Sequence, residues 1–214
     1  MTNFDLSLKV FDFLRQAQVG SIVVCAGARN APLVMALKEQ NFKVYSFFEE
    51  RSASFFAIGL MRSELKPVAV LTTSGTAVAE LLPATIEAAY QGLPLILVTA
   101  DRPKNYRGTG SPQTIEQVGL FSQYVEATFD LDAHQDSFEF ICSLKKPIHL
   151  NVCFDEPLID IKSPESEKNK VFLQSINIQK IENDFSALAD KPFVIIGGLD
   201  LADTEAVVNF RSTA

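Results

Sequence analysis

A chain of 214 residues that is 47% hydrophobic and holds 17 phenylalanines can bury a sizeable core, which excludes a disordered chain. A formal net charge of -7, from 19 basic against 26 acidic residues, argues against nucleic acid or an anionic membrane as the main partner. No apolar run approaches the roughly 20 residues of a membrane span, and Met1-Thr-Asn-Phe-Asp-Leu6 has no signal-peptide pattern. Cys25, Cys142 and Cys153, with His134 and His149 far apart, lack metal-ligand spacing and suit buried thiols in a reducing cytoplasm.

Phe4, Leu8, Phe11 and Leu14 recur at helical spacing and predict an amphipathic first helix. Ser21 to Cys25 is an unalternating β-rich run, as a strand buried on both faces should be. The loop 26–30 and a helix from Ala31 to Glu39 follow, with Pro32 tolerated in the first turn. Lys43 to Phe48 predicts a strand, and residues 51–64 a helix.

The unit repeats. Pro67 to Leu71 predicts a strand, Thr72-Thr-Ser-Gly-Thr76 a turn, and Ala77 to Tyr90 a helix bent near Pro83. A strand from Leu93 to Thr99 leads into a long polar loop, Lys104 to Gln113, whose Gly108-Thr-Gly-Ser-Pro-Gln113 stretch suits a lid or a solvated surface loop. A short helix around Ile115 to Phe121, a weak strand at Val125 to Phe129, a helix around Ser137 to Leu144 and a strand at Pro147 to Cys153 complete the pattern.

Strands alternating with helices predict an α/β fold with a parallel sheet of about six strands, covered on both faces. Right-handed crossovers then bring the C-terminal ends of all strands to one rim, where ligands of open α/β sheets bind. Arg29, Glu50, the Ser74-Gly75-Thr76 turn and Arg102 are thereby gathered at that rim. The domain reading is an α/β domain over 1–158, a linker over 159–190 and the start of a second α/β domain over 191–214.

Glu49 and Glu50 stand where a strand stops and a helix begins. Acids there are favoured by the helix dipole, by about 0.3–1 kcal/mol. The alternative is that one carboxyl sits in an apolar cleft with a raised pKa, ready to trade a proton. Arg29 and Arg102 offer forks suited to carboxylate or phosphate, or else make ordinary ion pairs, Arg102 with Asp101 or a neighbouring acid. No Walker A loop or dinucleotide fingerprint occurs.

The runs Gly27-Ala-Arg-Asn-Ala-Pro-Leu33, Glu50-Arg-Ser-Ala53, Thr73-Ser-Gly-Thr-Ala77, Ala100-Asp-Arg-Pro103 and Pro112-Gln-Thr-Ile-Glu-Gln117 occur in that order. Together they resemble the N-terminal, pyrimidine-binding domain of the 2-succinyl-5-enolpyruvyl-6-hydroxy-3-cyclohexene-1-carboxylate synthase family. The resemblance spans roughly residues 4–155 and implies a cytoplasmic, homo-oligomeric transferase of menaquinone biosynthesis. Such an enzyme uses thiamine diphosphate and Mg2+ to decarboxylate 2-oxoglutarate and add the succinyl-semialdehyde unit to isochorismate. It implies that Glu50 is catalytic, sharing a proton with the aminopyrimidine ring, an ionisation that Phe47, Phe48, Phe55 and Phe56 would disfavour. It further implies cofactor binding by Glu50, Gly27, Thr76 and Gln113, substrate binding by Arg29, Arg102 and Gln113, and no metal ligand here. Ala28 replaces a serine of the family pattern. The Gly-Asp-Gly…Asn run that holds the diphosphate and Mg2+ in this family does not occur, so the chain alone should be inactive. The competing reading is a non-catalytic binding or assembly module of the same fold.

Overall fold

The structure is a computed structural model that describes residues 1–135, 138–159 and 172–174. Helix α1 (Asn3–Gln16) starts at a capping box in which the Thr2 side chain accepts from the Asp5 amide and the Asp5 carboxylate accepts from the Thr2 amide. It leads into β1 (Ser21–Cys25), α2 (Ala31–Leu37) and β2 (Lys43–Phe47). After α3 (Glu50–Glu64) come β3 (Val68–Thr72), α4 (Thr76–Ala79), α5 (Leu82–Tyr90) and β4 (Leu95–Asp101). The remaining elements are strands β5 (Thr128–Asp132), β6 (Glu139–Ile141), β7 (Ile148–Cys153) and β8 (Phe172–Gln174).

Six strands form one sheet in the order β2-β1-β3-β4-β7-β5, and every pairing is parallel. Strands β1, β3, β4 and β7 are buried along their whole length, as a sheet with helices on both faces requires, whereas β2 is an exposed edge. Successive side chains point to opposite faces. Ile22, Val24, Leu71, Val98, Leu150 and Val152 enter a core shared with α1 and α2. Val23, Cys25, Val70 and Leu97 enter a second core under α3 and α5, closed by Phe121. Order reverses between β1 and β3, so the loops after these two strands flank the topological switch point.

Several boundaries differ from the sequence reading. The helix expected over Ala77 to Tyr90 is broken into α4 and α5 at Glu80 and Leu81. Pro83 has no N–H for the Ala79 carbonyl and instead sits in the first turn of a new helix. No helix forms around Ile115 to Phe121; that stretch is irregular, with a 3-10 turn at Ser122–Tyr124. The weak strand lies at Thr128–Asp132, three residues later than its apolar residues suggest.

The helix expected around Ser137 to Leu144 is replaced over Glu139–Ile141 by β6, which pairs in parallel with β8. Phe140, 1% exposed, explains this choice. Its ring packs 4.4 Å from that of Phe13 and 5.0 Å from that of Phe129, burial that local helix propensity does not match. β8 lies within the stretch read as a linker; residues 160–171 and 175–190 of that linker and the second domain fall outside the described residues. Among the described residues no helix is long and apolar enough to cross a membrane.

Phe140→Ala should remove the wedge between α1 and β5 and cost about 3–5 kcal/mol, the range for a buried phenylalanine truncated in a core. Urea unfolding measures it, and a loss below about 1 kcal/mol would place Phe140 outside the core.

Candidate active site

The two adjacent acids divide the work at the start of α3. Glu49 is the N-cap: its carboxylate accepts from the amides of Arg51 at 3.0 Å and Ser52 at 2.7 Å. Hydrogen bonds with Ser52, side chain and amide, hold it below the usual glutamate range. Glu50, the first helical residue, is half-buried and has no capping duty. Among the described residues its carboxylate takes one long hydrogen bond, donated by Thr72 Oγ1 at 3.4 Å.

Thr72 ends β3. Cys25 ends β1, and its buried thiol is pushed up to about 12, by burial first and then by the charges of Glu50 and Glu49. Glu50 thus lies over the crevice between β1 and β3, with carboxylate oxygens left to accept from a ligand.

The aromatic enclosure expected around Glu50 is not made by these residues. Phe48 is fully exposed at 107% and Phe55 is 44% exposed, while Phe47 and Phe56 pack on each other, 4.9 Å between ring centroids. Among the described residues, edge strand β2 has no neighbouring strand on its outer side, and Phe48 follows its end.

The loops flanking the crevice touch. Gly27 follows β1, donates its N–H to Asn30 Oδ1 at 2.8 Å, and lies so close to Thr73 that an added Cβ would meet Thr73 Cβ at 2.6 Å. Asn30 Nδ2 in turn donates to the Cys25 carbonyl at 2.9 Å. After β3, Gly75 adopts φ +80°, which side-chain-bearing residues rarely do. Gln113 lies on it: its Nε2 donates to the Ser74 carbonyl at 2.9 Å, and its own φ is +58°. Thr76, exposed, opens α4 directly after the turn.

Arg102 Nε donates to the Pro112 carbonyl at 3.0 Å, and its guanidinium stands 6.0 Å from the Tyr106 ring centroid. Gly27, Glu50, Thr76, Gln113 and Arg102 therefore form one contiguous strip along the C-terminal ends of β1, β3 and β4.

Arg29 does not join it by contact. Arg29 is buried, and its guanidinium donates to the Phe154 carbonyl at 3.3 Å and pairs with Glu156 at 3.0 Å, beyond the end of β7. The partner expected for Asp101 also changes. Arg102 donates its backbone N–H to Asp101 Oδ1 at 2.8 Å, but the guanidinium facing that carboxylate belongs to Arg107, at 3.4 Å.

Arg107 opens a polar network that sequence reasoning missed. It grips Asp130 with both terminal nitrogens, at 2.9 and 2.7 Å, and touches Cys153 Sγ at 3.3 Å. Burial works against the Asp130 charge, but Arg107 and Asn151 outweigh it and hold the carboxyl low. Asp101, fully buried, is pushed up by burial despite Asn151, the Arg102 amide and Arg107.

Asn151 sits at the centre. Its Nδ2 donates to Asp101 at 3.0 Å and Asp130 at 2.9 Å, and its Oδ1 accepts from Thr99 at 3.1 Å and Gln117 at 2.8 Å. Thr99 thus spends its proton on Asn151, so His149 Nε2, 2.7 Å away, is the donor to Thr99 Oγ1. That leaves His149 Nδ1 bare, with no hydrogen-bond partner among the described residues.

The loop from Lys104 to Gln113 is consequently pinned at both ends. Lys104 pairs with Asp132 at 2.5 Å, Arg107 with Asp130, and Gln113 with Ser74; the tip at 108–110 is exposed. A cavity of about 310 Å³ at the ends of β4, β5 and β7, lined by Lys104, Asp132, His134 and Cys153 among others, does not include Glu50.

Residues 5–120 match the model of the thiamine pyrophosphate enzyme family's N-terminal TPP binding domain. The chain is 51% identical, over 98% of its length, to a 2-succinyl-5-enolpyruvyl-6-hydroxy-3-cyclohexene-1-carboxylate synthase of Bdellovibrio bacteriovorus, covering 41% of that protein. Identity to the Corynebacterium diphtheriae synthase of the same name is 46% over 67% of the chain and 28% of the relative. For the Staphylococcus aureus synthase it is 33% over 97% of the chain and 41% of the relative. The chain therefore spans about two fifths of the length of the relatives that match nearly all of it.

Burial holds His149 at about 3, far below its ordinary 6.5, against the opposing pull of Asp130. The unfolded chain takes up a proton on this group between about pH 6.5 and 3 that the folded chain refuses. Stability is therefore intact above that window and lost as pH falls through it. Urea midpoints from pH 7 down to 4 should fall in the parent chain and fall less in His149→Gln, which keeps a donor for Thr99. Equal slopes would acquit the histidine.

Proposed function

The chain belongs to the thiamine pyrophosphate enzyme family, through its N-terminal TPP binding domain, and on that premise we propose that it is the N-terminal part of a larger synthase. That synthase decarboxylates 2-oxoglutarate and adds the succinyl-semialdehyde unit to isochorismate, giving 2-succinyl-5-enolpyruvyl-6-hydroxy-3-cyclohexene-1-carboxylate. The single observation carrying this reading is the placement of Glu50: freed from capping by Glu49, half-buried over the β1/β3 crevice, and holding one 3.4 Å hydrogen bond.

The residues present suit the cofactor's aminopyrimidine end. Glu50 offers a carboxylate with unused acceptor capacity, and glycines at 27 and 75 let the loops after β1 and β3 draw close at the same crevice, Thr73 and Gln113 filling the space a Cβ would take. When bound, thiamine diphosphate supplies the electron sink for cleaving and forming bonds next to a carbonyl. Glu50 would hold a proton at the pyrimidine ring nitrogen, while Gly27, Thr76 and Gln113 would orient the ring.

Arg102 and Gln113, adjoining through Pro112, would hold an anionic substrate group. Arg29 would serve a substrate carboxylate by exchanging Glu156, whose side chain is 60% exposed, for it. Exposed Phe48, beside Glu50, would be covered by another subunit or domain, which would complete the dry surroundings the carboxyl needs. Mg2+ and the diphosphate would be held outside this chain, in a cytoplasmic homo-oligomer, so the chain by itself would be inactive.

Glu50→Gln in the full-length protein should keep the fold and the cofactor but lose most of the hydrogen–deuterium exchange at C2 of bound thiamine diphosphate. NMR of quenched samples reads that rate. An unchanged rate would remove Glu50 from the chemistry and return it to the helix terminus.

A further inference from the structure

Of the two glutamines in Pro112-Gln-Thr-Ile-Glu-Gln117, only Gln113 has a place in the reading above. Gln117 is 1% exposed on an irregular stretch, yet its amide group joins three elements. Oε1 accepts from the Gly75 N–H at 2.8 Å, and Nε2 donates to the Ala100 carbonyl at 3.1 Å and to Asn151 Oδ1 at 2.8 Å. Both of its amide protons are thereby used, so the group is held in one orientation.

The turn it holds from below is held from above by Gln113. A Cβ on Gly75 would come 2.5 Å from Gln113 Cγ and 3.1 Å from the Gln113 carbonyl oxygen, and Gln113 Nε2 donates to Ser74 O. The Ser74–Gly75 turn is thus gripped between two side chains of one short segment. Its lower grip ends on Asn151, which three further hydrogen bonds, with Thr99, Asp101 and Asp130, fix inside β7.

We propose that Gln117 is a positioning residue of the site. It transmits the fixed position of Asn151 to the turn after β3, and so sets where Thr76 and Gln113 stand relative to Glu50. This rests on Gln113 and Thr76 binding ligand, as argued above.

The test uses full-length protein with thiamine diphosphate and Mg2+. Gln117→Met fills a similar volume without hydrogen bonds. It should raise the KM for 2-oxoglutarate tenfold or more and speed amide exchange at Gly75, with Leu71 in the strand unaffected. Gln117→Glu adds a signature that a merely structural residue lacks. Its protonated carboxyl can donate to Asn151 Oδ1 while accepting from Gly75, but its carboxylate would face two acceptor oxygens, those of Ala100 and Asn151. Its KM should therefore approach the parent value at low pH and diverge as pH rises.

A Gln117→Met protein with KM within twofold of the parent and unchanged Gly75 exchange overturns the proposal, whatever its melting temperature. If that variant does not fold, a Gln117→Glu KM that parallels the parent across pH overturns it instead. Should the parent form no product from 2-oxoglutarate and isochorismate, the functional reading fails separately. The Gly75 exchange rate, which needs no substrate, then decides the positioning alone.

Discussion

A polar group taken out of water must find its partners inside the protein, and the C-terminal half of this sheet is arranged around that constraint. Thr99, Asn151 and Asp130 are register partners on β4, β7 and β5, so three polar side chains stand abreast on one face. Asn151, fully buried between the other two, uses both ends of its amide. The segment after β4 is drawn down to meet what remains, Arg107 onto Asp130 and Gln117 onto Asn151. The loop that carries Arg102 and Gln113 is therefore ordered by demand from beneath it, although it has almost no regular structure of its own.

The other half of the rim obeys a different rule. Between β1 and β3 the connections part in opposite directions, and the gap is narrow enough that only glycine fits at position 27. Glu50 reaches this gap because α3 starts immediately after β2, on the face opposite α2. The division between Glu49 and Glu50 follows from backbone geometry. The N-cap residue turns its side chain back to the first-turn amides, whereas the next residue is released towards the crevice. Two neighbouring acids of the same type thus acquire unlike roles without any difference in composition around them.

Much of this was readable from residues alone. The unalternating apolar run at Ser21–Cys25 announced a strand buried on both faces, the run at Leu93–Thr99 announced another strand, and parallel crossovers then placed the rim. Gly27, Glu50, Thr76, Gln113 and Arg102 followed from that placement together with family likeness. Arg29 followed from it too, but its ion pair with Glu156 is set by a chain segment 127 positions away, which no local pattern reports. The polar face was legible and passed over. Ile148-His-Leu-Asn-Val-Cys153 and Thr128-Phe-Asp-Leu-Asp132 both alternate strictly, a sign that one side of these strands meets polar partners. The helix expected near Phe140 failed for a physical reason: aromatic packing from Phe13 and Phe129 outweighs local propensity over so short a stretch.

The three thiols carry a last consequence. Cys25, Cys142 and Cys153 are 2%, 1% and 3% exposed, and burial raises all three, Cys25 to about 12 and Cys142 to about 11. Thiolate, the form that reacts with alkylating and oxidising agents, is therefore scarce near neutrality and also out of reach. Modification of the native chain must wait for local opening, so each sulfur acts as a silent clock for its own neighbourhood: Cys25 for the floor of the crevice, Cys153 for the Arg107 grip, and Cys142 for the segment after β6.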